Sequence, residues 1–512
     1  MRDDDRSTDG VFRILRPDSG SSVCPGMTRR YISKEGISFH DTMDTRQRVI
    51  IAILMLGTLM GSLDSTIVIL AFPTISQSMH ADMLSTIWII LIYLLVVAVC
   101  TTQLGRLGDI YGRSLMFNTG FGVFTAGSLL CGLSPSITWL ILSRGVQAFG
   151  GALMQANSGA IVADTFPPES RGAAFGYISL GWTSGAMLGI VLGGIITTFI
   201  GWEYIFFINL PIGILATVLG FRYVTDTIRI DARLDTAGMI LLGLALVLVS
   251  YAGVDFAGQG TDTVNIACAL LGLLTIALFF LYESRTAAPI ISFSAFENRI
   301  LRYSVLAAFF LSLGYLSVVF LITMYLQGIR GLSPLYAALL LTPGYVVGSL
   351  LSPRMGRLSD RYGARILATA GAATLMLATL IYLTLGLDTP LWVVLLASAV
   401  SGIGSAMFFP SNNSAVMANA PRGSFGGISG VLRTVQNIGI LGSFVIAITV
   451  ASASIPRSVA FEVFIGTTNL VGGVSEAFLN GIDMSLWASI VIMGIAAALS
   501  WMRGHEDRGT CR

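Results

Sequence analysis

Gly105-Arg106-Leu107-Gly108-Asp109-Ile110-Tyr111-Gly112-Arg113 and Gly356-Arg357-Leu358-Ser359-Asp360-Arg361-Tyr362-Gly363 are two versions of one charged, glycine-rich loop, 251 positions apart in a chain of 512 residues. Each interrupts a pair of long apolar runs. Such a recurrence predicts a chain made of two related halves. At about 30 residues per span plus loop, the separation holds about eight membrane spans. A six-span repeat then leaves two spans inserted between the halves. A weaker echo agrees, because Gly172, Gly176 and Gly185 recur as Gly426, Gly430 and Gly439, each 254 positions later. The copies share one orientation, which predicts a parallel repeat about an axis along the membrane normal.

Over its whole length the chain is 54% hydrophobic and only 11% charged, with a mean hydropathy of +0.79. An ordinary soluble domain carries about 25% charged residues. The composition is that of a chain solvated by lipid. Apolar runs and turn signals predict spans at 49–77, 86–104, 115–133, 137–165, 173–200, 203–225, 236–254, 265–283, 301–326, 333–355, 366–386, 390–418, 424–453 and 484–503. The expected fold is therefore all-α and polytopic, with fourteen transmembrane helices in two six-helix bundles, residues 46–225 and 286–503. A linker over 226–285 contributes two helices, and polar tails cover 1–45 and 504–512. Arginines gather on alternate sides of the spans, at Arg46, Arg48, Arg106, Arg113, Arg171, Arg222, Arg229, Arg233, Arg285, Arg299, Arg302, Arg354, Arg357, Arg361, Arg365, Arg422, Arg503 and Arg508, while the opposite loops offer only Arg330 and Arg457. The positive-inside rule places both termini in the cytoplasm.

Several function classes are excluded by what the chain lacks. A net charge of +2 and the absence of a basic patch interleaved with aromatics argue against nucleic acid. Cys24, Cys100, Cys131, Cys268 and Cys511 are scattered and read as free thiols or small hydrophobes. His40, His80 and His505 all lie outside the apolar runs, so no metal site is expected within them. No phosphate-binding Gly-rich loop, cofactor motif or catalytic constellation is present. The N-terminal tail has no apolar signal segment. Met27 and Met43 leave the native start open, a point that N-terminal sequencing decides.

Chemistry enters with charges inside the apolar runs. Asp64, in Leu63-Asp64-Ser65-Thr66-Ile67-Val68, lies about fifteen residues into the first span, where an acid costs roughly 2.5 to 3.5 kcal/mol on insertion scales. Burial favours the neutral form of a carboxylic acid, the condition for reversible proton binding. Asp64 is either a proton or cation site, or a structural acid held by hydrogen bonds. Its natural partner is Arg144 of the fourth span, in Arg144-Gly145-Val146-Gln147-Ala148-Phe149-Gly150-Gly151. Protonation of Asp64 would weaken that pair and free two helices to rearrange. Gly185, Gly189, Gly193 and Gly194 allow close backbone approach in the fifth span. Adding 251 to Asp64 or Arg144 reaches Tyr315 or Leu395, with no charge nearby. The second half instead offers Asn412, Asn413, Gln436 and Asn437, and Arg433 is either a cavity cation or a helix-end residue. Trp88, Tyr93, Gln155, Trp182, Tyr325, Phe408 and Asn412 form a candidate cavity lining of apolar walls with a few polar groups, although aromatics also gather at lipid interfaces.

From about residue 46 to 503 the chain resembles the major facilitator superfamily, in its fourteen-helix drug:proton antiporter (multidrug resistance exporter) group. The resemblance rests on the paired loops, on Asp64 and Arg144 in their motifs, on the glycine-rich fifth span, on Gly201 to Gly213, and on Tyr325 to Pro334. It implies that Gly105, Asp109, Gly112 and Arg113, with Gly356, Asp360, Arg361, Gly363 and Arg365, latch a cytoplasmic gate. It implies that Asp64 and Arg144 couple protons, and that Gly185, Gly189, Gly193 and Gly194 form an antiporter motif. Ile69, Ile110, Ala148 and Ile190 depart from the usual Asn, Arg, Gly and Pro. The implied protein is no enzyme and needs no cofactor. It is a plasma-membrane exporter of small amphipathic or cationic organic compounds, with protons, a small molecule and the lipid bilayer as partners, acting as a monomer by alternating access. A narrow-specificity metabolite or siderophore exporter fits the same scaffold, and a non-transporting receptor is the reading from another class.

Overall fold

In a hydrocarbon environment a chain satisfies its backbone polar groups internally, as helices do residue by residue. The structure, a computed structural model, describes residues 43–81, 83–225, 235–259, 262–286, 293–421, 424–454 and 473–504, and it contains no strand among them. The expected tails up to 42 and beyond 504, the linker entry 226–234, and Arg422 and Arg457 lie outside the described residues. The helices of the first half are α1 (Thr45–Ser78), α2 (Met83–Tyr111), α3 (Arg113–Gly132), α4 (Ile137–Thr165), α5 (Arg171–Phe199), the single turn α6 (Tyr204–Phe207) and α7 (Asn209–Tyr223). Then come α8 (Thr236–Gln259) and α9 (Thr263–Glu283). The second half has α10 (Arg299–Met324), α11 (Pro334–Tyr362), α12 (Ala364–Tyr382), α13 (Trp392–Ala418), α14 (Phe425–Ser454) and α15 (Gly473–Met502). A π-helical turn, Tyr325–Ile329, extends α10.

Local sequence explains the boundaries. The paired loops are single-residue joints: Gly112 (φ 119°) separates α2 from α3 and Gly363 (φ 91°) separates α11 from α12. Only glycine adopts such a conformation without strain. Ser136 caps α4 by accepting from the Trp139 N–H, and Ser333 caps α11 ahead of a proline at its first turn. Asn298 accepts from the N–H groups of Ile300 and Leu301 at the start of α10.

Twelve helices among the described residues are long and apolar enough to cross a membrane. The fourteen expected spans are all helical, but α4 and α14 are not among those twelve. α4 carries buried Arg144, Gln147 and Asn157 among several glycines, in keeping with packing inside protein rather than against lipid.

The packing repeats itself. In the first half α1 lies on α5, α3 on α4, α2 on α4 and α3 on α7. The second half pairs α10 with α14, α12 with α13, α11 with α13 and α12 with α15. The halves meet along α2 with α14 and α5 with α11. Two pairs of the glycine echo, Gly172 with Gly426 and Gly176 with Gly430, lie on these two seams: a Cβ at Gly176 would meet the Ser352 carbonyl oxygen at 2.5 Å, and one at Gly430 the Thr101 carbonyl oxygen at 2.8 Å, while Gly185 abuts α1 and Gly439 abuts α10. The inserted α8 and α9 pack on each other, and α8 also touches α2 and α14.

Candidate functional site

Asp64 is fully enclosed and its carboxylate is saturated by donors from two other helices. Arg144 donates from Nη1 to Oδ2 at 2.6 Å. Oδ1 accepts from Gln147 Nε2 at 2.7 Å and from Asn209 Nδ2 at 3.2 Å. Arg144, 1% exposed, also donates to the Ile89 carbonyl at 3.2 Å and to Gln147 Oε1 at 2.5 Å. Gln147 in turn donates to Ser128 Oγ at 2.7 Å. The Tyr93 ring lies 4.5 Å from the guanidinium carbon and the Phe206 ring 5.8 Å from it, within cation–π range. The pair therefore joins α1 to α4 and ties both, through Asn209, Ile89 and Ser128, to α7, α2 and α3.

A buried charge persists when it is paired and hydrogen-bonded, and removing one partner leaves the other exposed to the full desolvation cost. A proton on Asp64 is such a removal without mutation. The carboxylate loses its attraction for Arg144, while Arg144 keeps Ile89, Gln147 and the two aromatic faces.

The paired loops form a second polar system, reciprocal across the two halves. Asp109 accepts from the backbone N–H groups of Gly426 and Gly427, both at 3.0 Å, at the start of α14. Asp360 accepts from Gly172 and Ala173, both at 2.8 Å, at the start of α5. Each loop thus places a carboxylate on the N-terminus of a helix in the opposite half, where unsatisfied N–H groups and the helix dipole favour an anion. Close approach requires glycine on both sides. A Cβ at Gly105 would sit 2.2 Å from the Gly426 oxygen, and one at Gly356 would sit 2.0 Å from the Gly172 oxygen. Arg113 binds Asp109 at 2.6 Å and also pairs with Asp164 of α4. In the second loop Arg365 donates to the Trp501 carbonyl at 2.8 Å and stacks on that indole, while Arg361 lies over Tyr362.

A narrow cavity of about 10 Å³ lies next to the buried pair, between α1, α3, α4, α5 and α14. Gly61 and Gly151 line it, and a Cβ at either would meet the Tyr93 hydroxyl, at 4.0 and 2.8 Å. Of the seven expected lining residues, Gln155 and Trp182 face this cavity. Tyr93 stands behind it against Arg144. Trp88 packs against the apolar core that includes the second half. The other three are enclosed elsewhere: Tyr325 donates to the Gly386 carbonyl, Phe408 is fully buried, and Asn412 is held by the Ser304 carbonyl and by Arg503. Arg433 of α14 lines the cavity. The fifth-span glycines face two ways. Gly185 and Gly189 abut the Leu59 and Leu63 carbonyls of α1, Gly193 abuts Ile67, and Gly194 abuts Leu335 of α11. With Ile190 in place of proline, α5 runs unbroken.

Sequence reasoning missed Gln147, Asn209 and Asp164 as partners. Gln147 sits three positions after Arg144, on the same helix face. Asn209 is a lone amide in the apolar stretch Phe206-Phe207-Ile208-Asn209-Leu210. Both were findable as unexplained polar groups within a span.

A repeated bundle of membrane-length helices, reciprocally latched between its halves and holding a charged pair beside an internal cavity, defines a membrane transport protein. The Major Facilitator Superfamily profile matches residues 54–444. The chain belongs to that superfamily. It is 28% identical over 459 residues to the riboflavin transporter RibZ of Clostridioides difficile (strain 630), covering 89% of this chain and 97% of that relative. It is 30% identical over 407 residues to the tetracenomycin C resistance and export protein of Streptomyces glaucescens, covering 77% and 74%. Among solved structures, an auto-inhibited POT family peptide transporter superposes with a TM-score of 0.59 at 15% identity, over 89% of this chain and 97% of that one. At that identity the likeness concerns the fold.

Proposed function

We propose that the chain is a fourteen-span, proton-coupled exporter of small amphipathic organic compounds, working as a monomer by alternating access with both termini in the cytoplasm. The observation that carries the reading is the saturated Asp64–Arg144 pair, enclosed between α1 and α4 next to the cavity. Its charge is reversible by one proton, and its loss changes how three helices are tied. Each proton entering at 100 mV supplies about 2.3 kcal/mol. The length and interior packing of α4 and α14 support counting them as spans beside the other twelve. The arginine bias supports a cytoplasmic side for the two latches. Drug-export relatives support the exporter direction.

The test is Asp64→Asn in energised inverted vesicles. Proton-coupled uptake is expected to disappear while the protein still inserts and binds ligand. Coupling at the wild-type level in that variant would overturn the mechanism. A narrow-specificity metabolite exporter is the second reading, favoured by the relative named as a riboflavin transporter. Comparing a panel of dyes with single metabolites in the same vesicles separates the two.

A further inference from the structure

We propose that Arg433 is the substrate-orienting residue of the cavity, and that the compounds carried are acid-bearing aromatic amphiphiles rather than cations. The inference rests on the transport reading and names its substrate class. Arg433 projects from α14 into a cavity otherwise walled by first-half residues, among them Phe117, Met154 and Trp182. A guanidinium has five N–H donors in a planar fork. Arg433 spends one of them on Gln436 Oε1 of its own helix, at 3.3 Å. Among the described residues no carboxylate lies within ion-pair distance of it.

Two other polar groups on the wall, Thr58 and Ser158, are turned to backbone, and Gln155 adds a neutral amide. Thr58 donates to α1 and α5 carbonyls and Ser158 to the Gln155 carbonyl. The lining contains neither Asp nor Glu. Asp64, one turn beyond Gly61 on α1, has both oxygens occupied by Arg144, Gln147 and Asn209. A cation entering this cavity meets a like charge and no acidic anchor. A carboxylate meets a planar fork suited to bidentate bonding, and an aromatic body meets Trp182, Phe117 and Met154. Because α14 belongs to the second half, a ligand held by Arg433 and stacked on Trp182 of α5 bridges the two halves.

The test uses three matched probes, naphthalene-2-acetate, naphthalene-2-acetamide and (2-naphthylmethyl)trimethylammonium, with the full chain in nanodiscs and binding read by equilibrium dialysis without a proton gradient. The wild-type protein is expected to bind the carboxylate at least about tenfold more tightly than the cation, with the amide between. Arg433→Gln is expected to bring carboxylate and amide within about twofold of each other while amide binding persists. Arg433→Lys keeps the charge without the fork, and retains preference for carboxylate over cation at reduced ratio to the amide. Equal or tighter binding of the cation by the wild type, no binding of the carboxylate, or an unchanged ratio in Arg433→Gln would each overturn the proposal. Should Arg433→Gln fail to fold, the wild-type ranking and Arg433→Lys decide it. Failure of proton coupling in Asp64→Asn vesicles is a separate result, because the binding ranking requires no gradient.

Discussion

Asp109→Asn is expected to weaken the closure of the end that carries the paired loops, by an amount the geometry permits one to work out. The Asp109 carboxylate is 4% exposed and accepts two backbone N–H groups at 3.0 Å from the first turn of α14. Hydrogen bonds to charged groups contribute about 1.5–3 kcal/mol each, and an anion at a helix N-terminus about 0.3–1 kcal/mol. Asparagine keeps one acceptor oxygen and loses the other along with the charge. The net loss is about 2–4 kcal/mol, or about 30-fold to several hundred-fold in the closed-to-open ratio. Asp360→Asn should lose a similar amount at α5, where its bonds are 2.8 Å long. The two latches hold different helices, so the double variant should multiply the single effects. Spin labels at Tyr111→Cys and Tyr362→Cys, exposed positions at the ends of α2 and α11, report the separation in a chain whose five native cysteines are replaced. Double electron–electron resonance should show a longer-distance population that grows from the single variants to the double. A double variant with the wild-type distance distribution would refute the reasoning.

Gly105→Ala and Gly356→Ala should act on the same equilibrium by steric means. A Cβ placed 2.0–2.2 Å from a backbone oxygen forces the helices apart, and the same label pair should read the longer distance in either variant. Arg144→Lys should abolish transport in inverted vesicles while preserving membrane insertion, because one ammonium cannot reproduce the guanidinium's bonds to Asp64, Gln147 and Ile89 together. Transport above about a tenth of wild type would contradict it. Asn412→Ala should destabilise the second half by about 1–3 kcal/mol, since it removes a buried amide that donates to the Ser304 carbonyl and accepts from Arg503. A lowered melting temperature with unaltered ligand affinity is the expected result, and altered affinity at unchanged melting temperature would place Asn412 at the ligand instead.

The repeat was legible because a turn forced by positive φ and an acid at a helix end demand particular residues, and Gly112, Gly363, Asp109 and Asp360 are such residues. The Asp64–Arg144 pairing was legible for a related reason, since two opposite charges inside apolar runs have few alternatives. The partner of each latch was not legible as such. Gly172 and Gly426 showed only as an echo, and nothing local says that each faces the other copy's loop. Asn209 lies 145 positions from Asp64, a separation that only the fold closes. Helix faces were equally obscure, because lipid-facing and interior surfaces are both apolar, so Tyr325, Phe408 and Asn412 could not be told from cavity residues by pattern. Arg433 was undecidable from sequence because a helix end and a cavity wall require the same residue type.

The glycine seam between α1 and α5 joins the two polar systems mechanically. Cβ atoms at Gly181, Gly185 and Gly189 would lie 2.4–2.8 Å from the Met55, Leu59 and Leu63 carbonyl oxygens, and Thr58 and Thr66 donate to the Ile178 and Ala186 carbonyls across the same contact. Backbones this close have no side chains between them to absorb a shift, and packed interiors deform little. If α1 moves when Asp64 is protonated, α5 moves with it. The N-terminus of α5 is where Asp360 holds the second half. On the proposed mechanism, a proton at Asp64 would act on a helix pair whose far end carries one of the two inter-half contacts, with no intervening loop to take up the motion. The first latch has its own route, through Arg113 to Asp164 at the end of α4, the helix that carries Arg144. The charged pair thus sits where α1 and α4 meet, and each of those helices leads to a different latch. Separating α1 from α4 at this one point perturbs both contacts between the halves, and that is the geometry by which a single buried charge can bias a whole-molecule equilibrium.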